Sequence, residues 1–509
     1  MPQPKPLREY VEALGGLVTG TEGDLSLPIH GASSDSRSVQ PGWLFMAIPG
    51  ARRDGADFVP QALAAGAVAV VAARPLARPP GVGFVQVGEP YRAAGRVAEL
   101  AAGFPARALR LVGVTGTNGK TTTAYLMRDI LRRAGHKTGM VGTIVYDCGD
   151  TVLPADRTTP TPFELQAILA RCRDAGCAYA SLEVSSHALD QGRLGTARFA
   201  GALFTNLTRE HLDYHKEMDH YFAAKRLLFD EYLEPGGVAM VNLDARFLDV
   251  RYGNRLRREV AERRPDVTVL TFGASRDSDY RTDALQTSLA GIRMTLETPG
   301  GRLELASPLH GRFNAENLAG GAALLLALGV APEAVVQAVG AFQGAPGRLQ
   351  QIVARQDIRV FVDYAHTDDA LRNVLGALRD LKPRRLVALF GCGGGRDRGK
   401  RPLMGKAVAE FADWIVVSSD NPRDEEPELI INDACCGIPA TAHCTRETDR
   451  RQAIERVIAE ARPGDVIVVA GKGHEDYQEI KGVKYPFDDV TEVTAALRRH
   501  GLLPEAPGA

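Results

Sequence analysis

The chain is 509 residues long, carries 61 basic against 62 acidic side chains and is 45% hydrophobic. A net charge of −1 excludes bulk attraction to nucleic acid or to an anionic membrane, and the length and apolar content are those of a globular protein of several domains. No apolar run approaches the ~20 residues that span a bilayer, and Met-Pro-Gln-Pro-Lys-Pro at the start lacks the apolar stretch of a secretion signal, so a cytoplasmic protein is expected.

In chain order, Trp43–Ile48, Ala67–Ala72 and Val82–Val87 read as short strands between Gly/Pro turns, and Tyr91–Ala102 reads as a helix. Phe104-Pro105-Ala106 reads as a linker. The apolar run Leu109–Val114 then ends in Thr115-Gly116-Thr117-Asn118-Gly119-Lys120-Thr121-Thr122. A strand entering a Gly-rich turn, with Gly-Lys-Thr opening a helix, is a phosphate cradle. Glycine admits backbone N–H groups, the helix N-terminus adds positive potential, and Lys120 adds a point charge. The hydroxyl of Thr121 or Thr122 would complete a Mg²⁺ shell. The match to the general nucleotide loop is offset, because Val114 stands where that pattern has glycine.

Strands at Ala178–Leu182, Ala200–Thr205, Val238–Asn242 and Thr268–Phe272 alternate with helical patterns, the signature of a parallel α/β sheet. Glu183 follows the first of these and His211 the second, both past strand ends. An acid beside a phosphate loop is where such enzymes hold Mg²⁺, and His211 is a candidate second ligand. Lys225 lies in the helical stretch Tyr221–Tyr232 and, by itself, reads as an exposed lysine. Asn314 and Asn317 open the helix Leu318–Leu328. Their spacing fits either reading an adenine edge or capping the helix. Gly344-Ala345-Pro346-Gly347 is a second boundary. Beyond it Arg359–Val362, Leu386–Phe390, Trp414–Val417 and Val466–Ala470 each run into a polar or Gly-rich loop, predicting a doubly wound sheet with a binding surface at its carboxyl edge. The expected division is 1–105, 106–345 and 346–509. The seven cysteines (148, 172, 177, 392, 435, 436 and 444) show no paired metal spacing and read as free thiols.

Taken together, Thr115–Thr122, Glu183–His187, Asn206–His215, His310–Asn317, Asp363–His366, Gly391–Arg401 and Gly471–Glu475 closely resemble the Mur ligases, ATP-dependent amide-forming enzymes of peptidoglycan precursor synthesis. Asp35-Ser36-Arg37, Thr158-Thr159-Pro160 and Asp420-Asn421-Pro422-Arg423 are similar to the diaminopimelate-adding branch. The resemblance implies a uridine-nucleotide domain, a central ATPase and a C-terminal, Rossmann-like domain that receives the amino acid. It implies ATP contacts by Gly116, Thr117, Asn118, Gly119, Lys120, Thr121, Thr122, Asn314, Asn317, Arg348 and Asp363. The UDP-N-acetylmuramoyl-L-alanyl-D-glutamate substrate would meet Ser34, Ser36, Ala51, Arg52, Arg53, Arg157, Thr158, Thr159, Ser185, Gln191 and Arg193.

By the same resemblance, meso-diaminopimelate would meet Arg396, Asp420, Asn421, Pro422, Arg423, Gly471 and Glu475. The two arginines suit its distal carboxylate, and the acids suit its ammonium. Mg²⁺ would sit on Thr121 and Glu183, and again near His211 and Lys225, the latter at the family's N6-carboxylysine position. Lys120, Glu183, His211 and Lys225 would be the catalytic set of a monomeric ligase that needs neither nucleic acid nor membrane. Asp368 stands where the family usually has proline, which bears on the shape of that loop alone. The rivals are a lysine-adding relative, a folylpolyglutamate synthase, a small-molecule kinase and a nucleotide-gated binding module.

Overall fold

A computed structural model describes residues 3–50 and 53–503 as mixed α/β structure. The chain divides into two compact units. The first comprises Met1–Thr282, Glu297–Arg302 and Leu318–Ala338; the second comprises Asp283–Leu296, Leu303–Asn317 and Val339–Ala509. No helix among the described residues is long and apolar enough to cross a membrane. All seven cysteines are free thiols.

In the first unit, residues up to about 104 build a five-stranded sheet in the order Val18–Glu22, Gly83–Val87, Ala69–Ala72, Leu44–Met46, Ala32–Ser33. Its first pair is antiparallel and the rest are parallel. Leu44–Met46 and Ala69–Ala72 are buried at every position, as strands covered on both faces must be. Leu7, Tyr10, Val97 and Leu100 pack one core and Val39, Phe45, Val59 and Phe84 the other.

Six consecutive strands of the larger sheet run Thr138–Val141, Tyr179–Glu183, Arg110–Thr115, Phe199–Phe204, Leu233–Asn242, Thr268–Gly273, all parallel, and the hairpin strands Val145–Asp147 and Val152–Pro154 extend it antiparallel beyond the first. The expected strands are present, with ends that differ by a few residues. Sequence order differs from spatial order here, and that fixes the site. Glu183 pairs with Val114 and Phe204 with Thr115, so the phosphate loop emerges between the ends of its two neighbours.

In the second unit a six-stranded sheet runs Gln350–Val353, Arg359–Asp363, Asp465–Ala470, Arg385–Cys392, Trp414–Ser419, Cys444–Glu447. The first strand is antiparallel and the others parallel. Separate apolar cores cover its two faces, one around Phe361, Leu375 and Phe390, the other around Val360, Trp414 and Leu497. This is the doubly wound sheet the four apolar runs predict, with two edge strands added. Arg450 and Asp489 form a fully buried ion pair of 2.7 Å. The same guanidinium donates to the carbonyls of Ser419 (3.4 Å) and Ala470 (3.0 Å), the ends of two loop-bearing strands.

Candidate active site

The phosphate loop is set by close approach. Gly116 has φ 151° and Gly119 has φ 88°. A Cβ on Gly116 would lie 1.9 Å from Thr205 Oγ1, so no side chain fits there. The segment after the neighbouring strand straps the loop. Thr117 N–H donates to the Asn206 carbonyl (3.0 Å), Asn118 N–H to Asn206 Oδ1 (2.9 Å), and Thr205 Oγ1 to the Asn118 carbonyl (2.6 Å). The helix Lys120–Arg133 starts at the end of the loop, which puts its positive terminus there. The Lys120 ammonium curls back to the carbonyls of Gly116 (2.8 Å) and Thr117 (2.7 Å).

Glu183 is completely buried. Its carboxylate accepts from Thr121 Oγ1 (2.8 Å), Thr143 N–H (2.7 Å) and Thr143 Oγ1 (3.0 Å). A carboxylate beside a hydroxyl at the end of a phosphate-loop strand is a hard oxygen donor set that fits Mg²⁺. The sequence reading missed Thr143. It lies in a connecting segment without periodicity, and only the order of strands brings it to Glu183.

Lys225 is buried rather than exposed, and its Nζ donates to the Gly116 carbonyl at 2.8 Å. Burial and the nearby Lys120 charge push its pKa well below the usual lysine value, against a smaller upward pull from Glu210. An ammonium cannot ligate a cation. A neutral amine can add CO₂ and become an oxygen donor, and this burial favours the neutral form.

Three imidazoles cluster nearby. His187 lies 4.9 Å from His211 and 5.4 Å from His215, ring to ring. Burial, with the other two histidines, holds His187 down to about 4, and burial also lowers His211 and His215. Each shift favours the neutral imidazole, the form in which histidine binds metal.

The expected muramoyl-dipeptide residues split into two groups. Thr158, Thr159, Ser185, Gln191 and Arg193 come together beside Glu183. Thr158 Oγ1 meets Thr143 Oγ1 (3.0 Å), and Thr159 Oγ1 donates to the Glu183 carbonyl (2.8 Å) and accepts from Ser185 N–H (3.0 Å). Arg193 donates to the Thr159 carbonyl and to Gln191 Oε1, both at 2.8 Å. Burial and the neighbouring Arg157 lower the Arg193 pKa. Ser34, Ser36 and Arg53 belong instead to the five-stranded part, where Ser36 Oγ donates to Gln61 Oε1 at 2.9 Å. Ala51 and Arg52 lie outside the described residues.

In the second unit, Asn314 Nδ2 donates to the His310 carbonyl (2.9 Å) and Asn317 Nδ2 to Asn314 Oδ1 (3.3 Å). Both amides thus bond locally within the first turns of the helix Arg312–Ala327, and neither of these bonds is a helix cap, in which a side-chain oxygen accepts from a backbone N–H. Asp363 accepts from Leu349 N–H (2.6 Å) and Ala365 N–H (2.7 Å), and burial raises its pKa against the pull of Arg348. The Arg348 guanidinium stacks 4.5 Å over the Tyr364 ring.

Asp420, Asn421 and Pro422 are buried, whereas Arg396 is exposed. Glu475 accepts from Asn421 Nδ2 (2.8 Å) and from the fully buried Lys472 (3.3 Å). A Cβ on Gly471 would lie 2.5 Å from Asp420 Oδ2, so glycine lets that loop reach the acid. Lys472, between two glycines, carries no local sign of its burial, and the sequence reading did not single it out.

A strapped phosphate loop, a buried strand-end carboxylate and a doubly wound second unit define an ATP-dependent ligase of the Mur type, and the chain belongs to the Mur ligase family. The sequence matches the Mur ligase family catalytic domain at residues 28–104, the Mur ligase middle domain at 114–325 and the Mur ligase glutamate ligase domain at 347–473. It is similar to the UDP-N-acetylmuramoyl-L-alanyl-D-glutamate–2,6-diaminopimelate ligases of Solibacter usitatus (44% identical, covering 93% of this chain and 94% of that protein) and Gloeobacter violaceus (45%, 93% and 94%). A solved structure of a ligase of that name superposes with a TM-score of 0.70 at 35% identity, covering 98% of this chain and 99% of the other. Mycobacterium tuberculosis folylpolyglutamate synthase shares the fold, with a TM-score of 0.61 at 19% identity over 75% of this chain and 92% of that one.

Proposed function

We propose that this chain ligates meso-2,6-diaminopimelate to UDP-N-acetylmuramoyl-L-alanyl-D-glutamate with ATP. The observation that carries the reading is the convergence of Lys120, Thr121, Glu183 and Lys225 on one phosphate loop, in a chain 44% identical to ligases of that name. In this reading residues 1–105 hold the uridine nucleotide, 106–345 run the ATP chemistry and 346–509 receive the amino acid. It carries with it a cytoplasmic, monomeric enzyme. Asn314, Asn317, Arg348 and Asp363 are assigned to adenosine.

The γ-carboxylate of the terminal D-glutamate attacks the γ-phosphorus of ATP and ADP leaves. The amine of diaminopimelate then attacks the acyl carbon, phosphate departs, and the nitrogen loses a proton. No side chain becomes covalently linked. Lys120 and the loop amides neutralise the transferring phosphoryl group and hold it in line. Thr158, Thr159, Ser185 and Arg193 orient the dipeptide beside Glu183. Thr121 and Glu183 would hold one Mg²⁺, and His211 with carboxylated Lys225 a second; when bound, these ions add positive charge at the phosphates.

The test is an amino-acid panel with the UDP-muramoyl dipeptide and ATP, read by product mass and phosphate release. A product heavier by one diaminopimelate residue is expected. A lysine adduct alone would move the chain to the lysine-adding branch, and a phosphorylated product without an amide would make it a kinase.

A further inference from the structure

Arg423, one of the two arginines assigned to the distal carboxylate, is tied to a hairpin that the sequence reading did not anticipate. Tyr477–Ile480 pairs antiparallel with Val483–Pro486 through a Lys481-Gly482 turn. Five hydrogen bonds tie this hairpin to the loop Asp420–Arg423. Arg423 N–H donates to the Glu479 carbonyl (3.0 Å), and Lys481 N–H to the Arg423 carbonyl (2.8 Å). Glu479 N–H donates to Asn421 Oδ1 (2.9 Å), and Gln478 Nε2 to the Asp420 carbonyl (2.7 Å). The fifth joins side chains, Arg423 Nε to Glu479 Oε2 at 3.1 Å.

Arg423 has φ 52°, a left-handed conformation that arginine keeps only when its surroundings impose it. The two backbone bonds impose it here. Glu479 then holds the guanidinium by Nε, and the Gly394 carbonyl takes a hydrogen of Nη1 at 2.7 Å. What remains of the fork is its Nη1–Nη2 end, the edge that takes a carboxylate with two parallel hydrogen bonds. A Cβ on Gly394 would lie 1.9 Å from the Pro422 carbonyl, so the carbonyl that holds Nη1 reaches the loop only because residue 394 is glycine.

We propose that Glu479, on the hairpin Tyr477–Pro486, is a positioning residue that sets amino-acid specificity by presenting the open end of Arg423 to the distal carboxylate of the incoming amino acid. This rests on the ligase reading above. Glu479 itself touches no reacting atom.

The experiment compares wild type, Glu479→Gln, Glu479→Ala, Arg423→Ala and the Glu479→Ala/Arg423→Ala double variant, with diaminopimelate and with L-lysine. Glu479→Ala should raise the KM for diaminopimelate roughly twofold to fivefold, the scale of a partly exposed ion pair, with kcat and the KM for ATP unchanged. Its preference for diaminopimelate over lysine should fall by the same factor. Glu479→Gln keeps an acceptor for Nε and should recover much of the loss. On the Arg423→Ala background, Glu479→Ala should change nothing further, because its route of action is gone.

Equal penalties in both backgrounds, or a lowered kcat with unchanged KM, would overturn the proposal and make the hairpin a purely structural element. If Glu479→Ala melts early, the glutamine variant and its KM carry the same test. A wild-type protein that yields no diaminopimelate product refutes the ligase reading instead, and this proposal with it.

Discussion

Replacing Glu183 by alanine and by glutamine separates the structural role of this carboxylate from its chemical one. Alanine leaves three donors without an acceptor. Two are hydroxyls with other oxygens close by: Thr143 Oγ1 has Thr158 Oγ1 at 3.0 Å, and Thr121 Oγ1 has Thr143 Oγ1 at 3.5 Å. The Thr143 backbone N–H has no such alternative, and an orphaned donor costs about 1–3 kcal/mol. For a unit of this size that lowers the melting temperature by about 2–5 °C. Glutamine keeps an oxygen for that N–H, and both hydroxyls can rotate to accept from its amide, so the melting temperature should hold within about 2 °C. The amide has no charge to bind a cation, so phosphate release and product formation should still fall by about 10²–10³. The assay is thermal unfolding alongside turnover under saturating substrates. A glutamine variant with turnover within about tenfold of wild type, or one that melts as early as the alanine variant, would refute the assignment.

Three further outcomes are expected. Lys225→Ala should lose at least about 10² in turnover, and short carboxylates should restore part of it by supplying the missing oxygen donor; loss that no carboxylate rescues would count against the carboxylated form. Asp489→Asn leaves the buried Arg450 charge unpaired at a cost of ~3–5 kcal/mol, visible as an early melt, and a shift under about one degree would show the pair to be dispensable. Arg401 and the Gly395 N–H hold Glu425 down to about 2, below its usual 4.5, so its contribution is present above pH 4.5 and lost as pH falls toward 2. The melting-temperature gap between wild type and Glu425→Gln should therefore be widest in neutral solution and close toward that acid limit; a gap independent of pH would contradict this.

The parts of the fold that could be read from sequence are those where one local pattern suffices. The central strands are apolar runs buried on both faces, and the phosphate loop announces itself by glycine, lysine and threonine in one string. Edge strands were harder. Gln350–Val353 and Cys444–Glu447 show no alternation of apolar and polar residues, and Val483–Pro486 is exposed at every position, so no sustained apolar period marks any of them. Thr143 and Lys472 were missed for another reason. Each matters through a partner the sheet order supplies: Thr143 meets Glu183 forty residues away, and Lys472 meets Asn421 at a separation of 51. Lys225 was placed by resemblance alone, since a helical lysine carries no local sign that its side chain will be buried. The asparagine pair shows the limit of spacing arguments. Residues three apart on a helix can face a base or each other, and here Asn317 bonds to Asn314.

The buried guanidinium of Arg450 has a consequence for how the second unit opens. By holding the carbonyls of Ser419 and Ala470 together with Asp489, it joins the ends of two strands whose loops carry Asp420 and Glu475. Fraying of either end is opposed, because separating it leaves an N–H of the buried guanidinium without its acceptor. Backbone amides there should exchange with solvent only when the whole sheet opens, while those of the hairpin at Tyr477–Pro486, which has an exposed outer strand, should exchange through small local openings. Measured by deuterium uptake, the edge that carries Asp420 and Glu475 would then have one wall on the timescale of global unfolding and another that samples solvent far sooner.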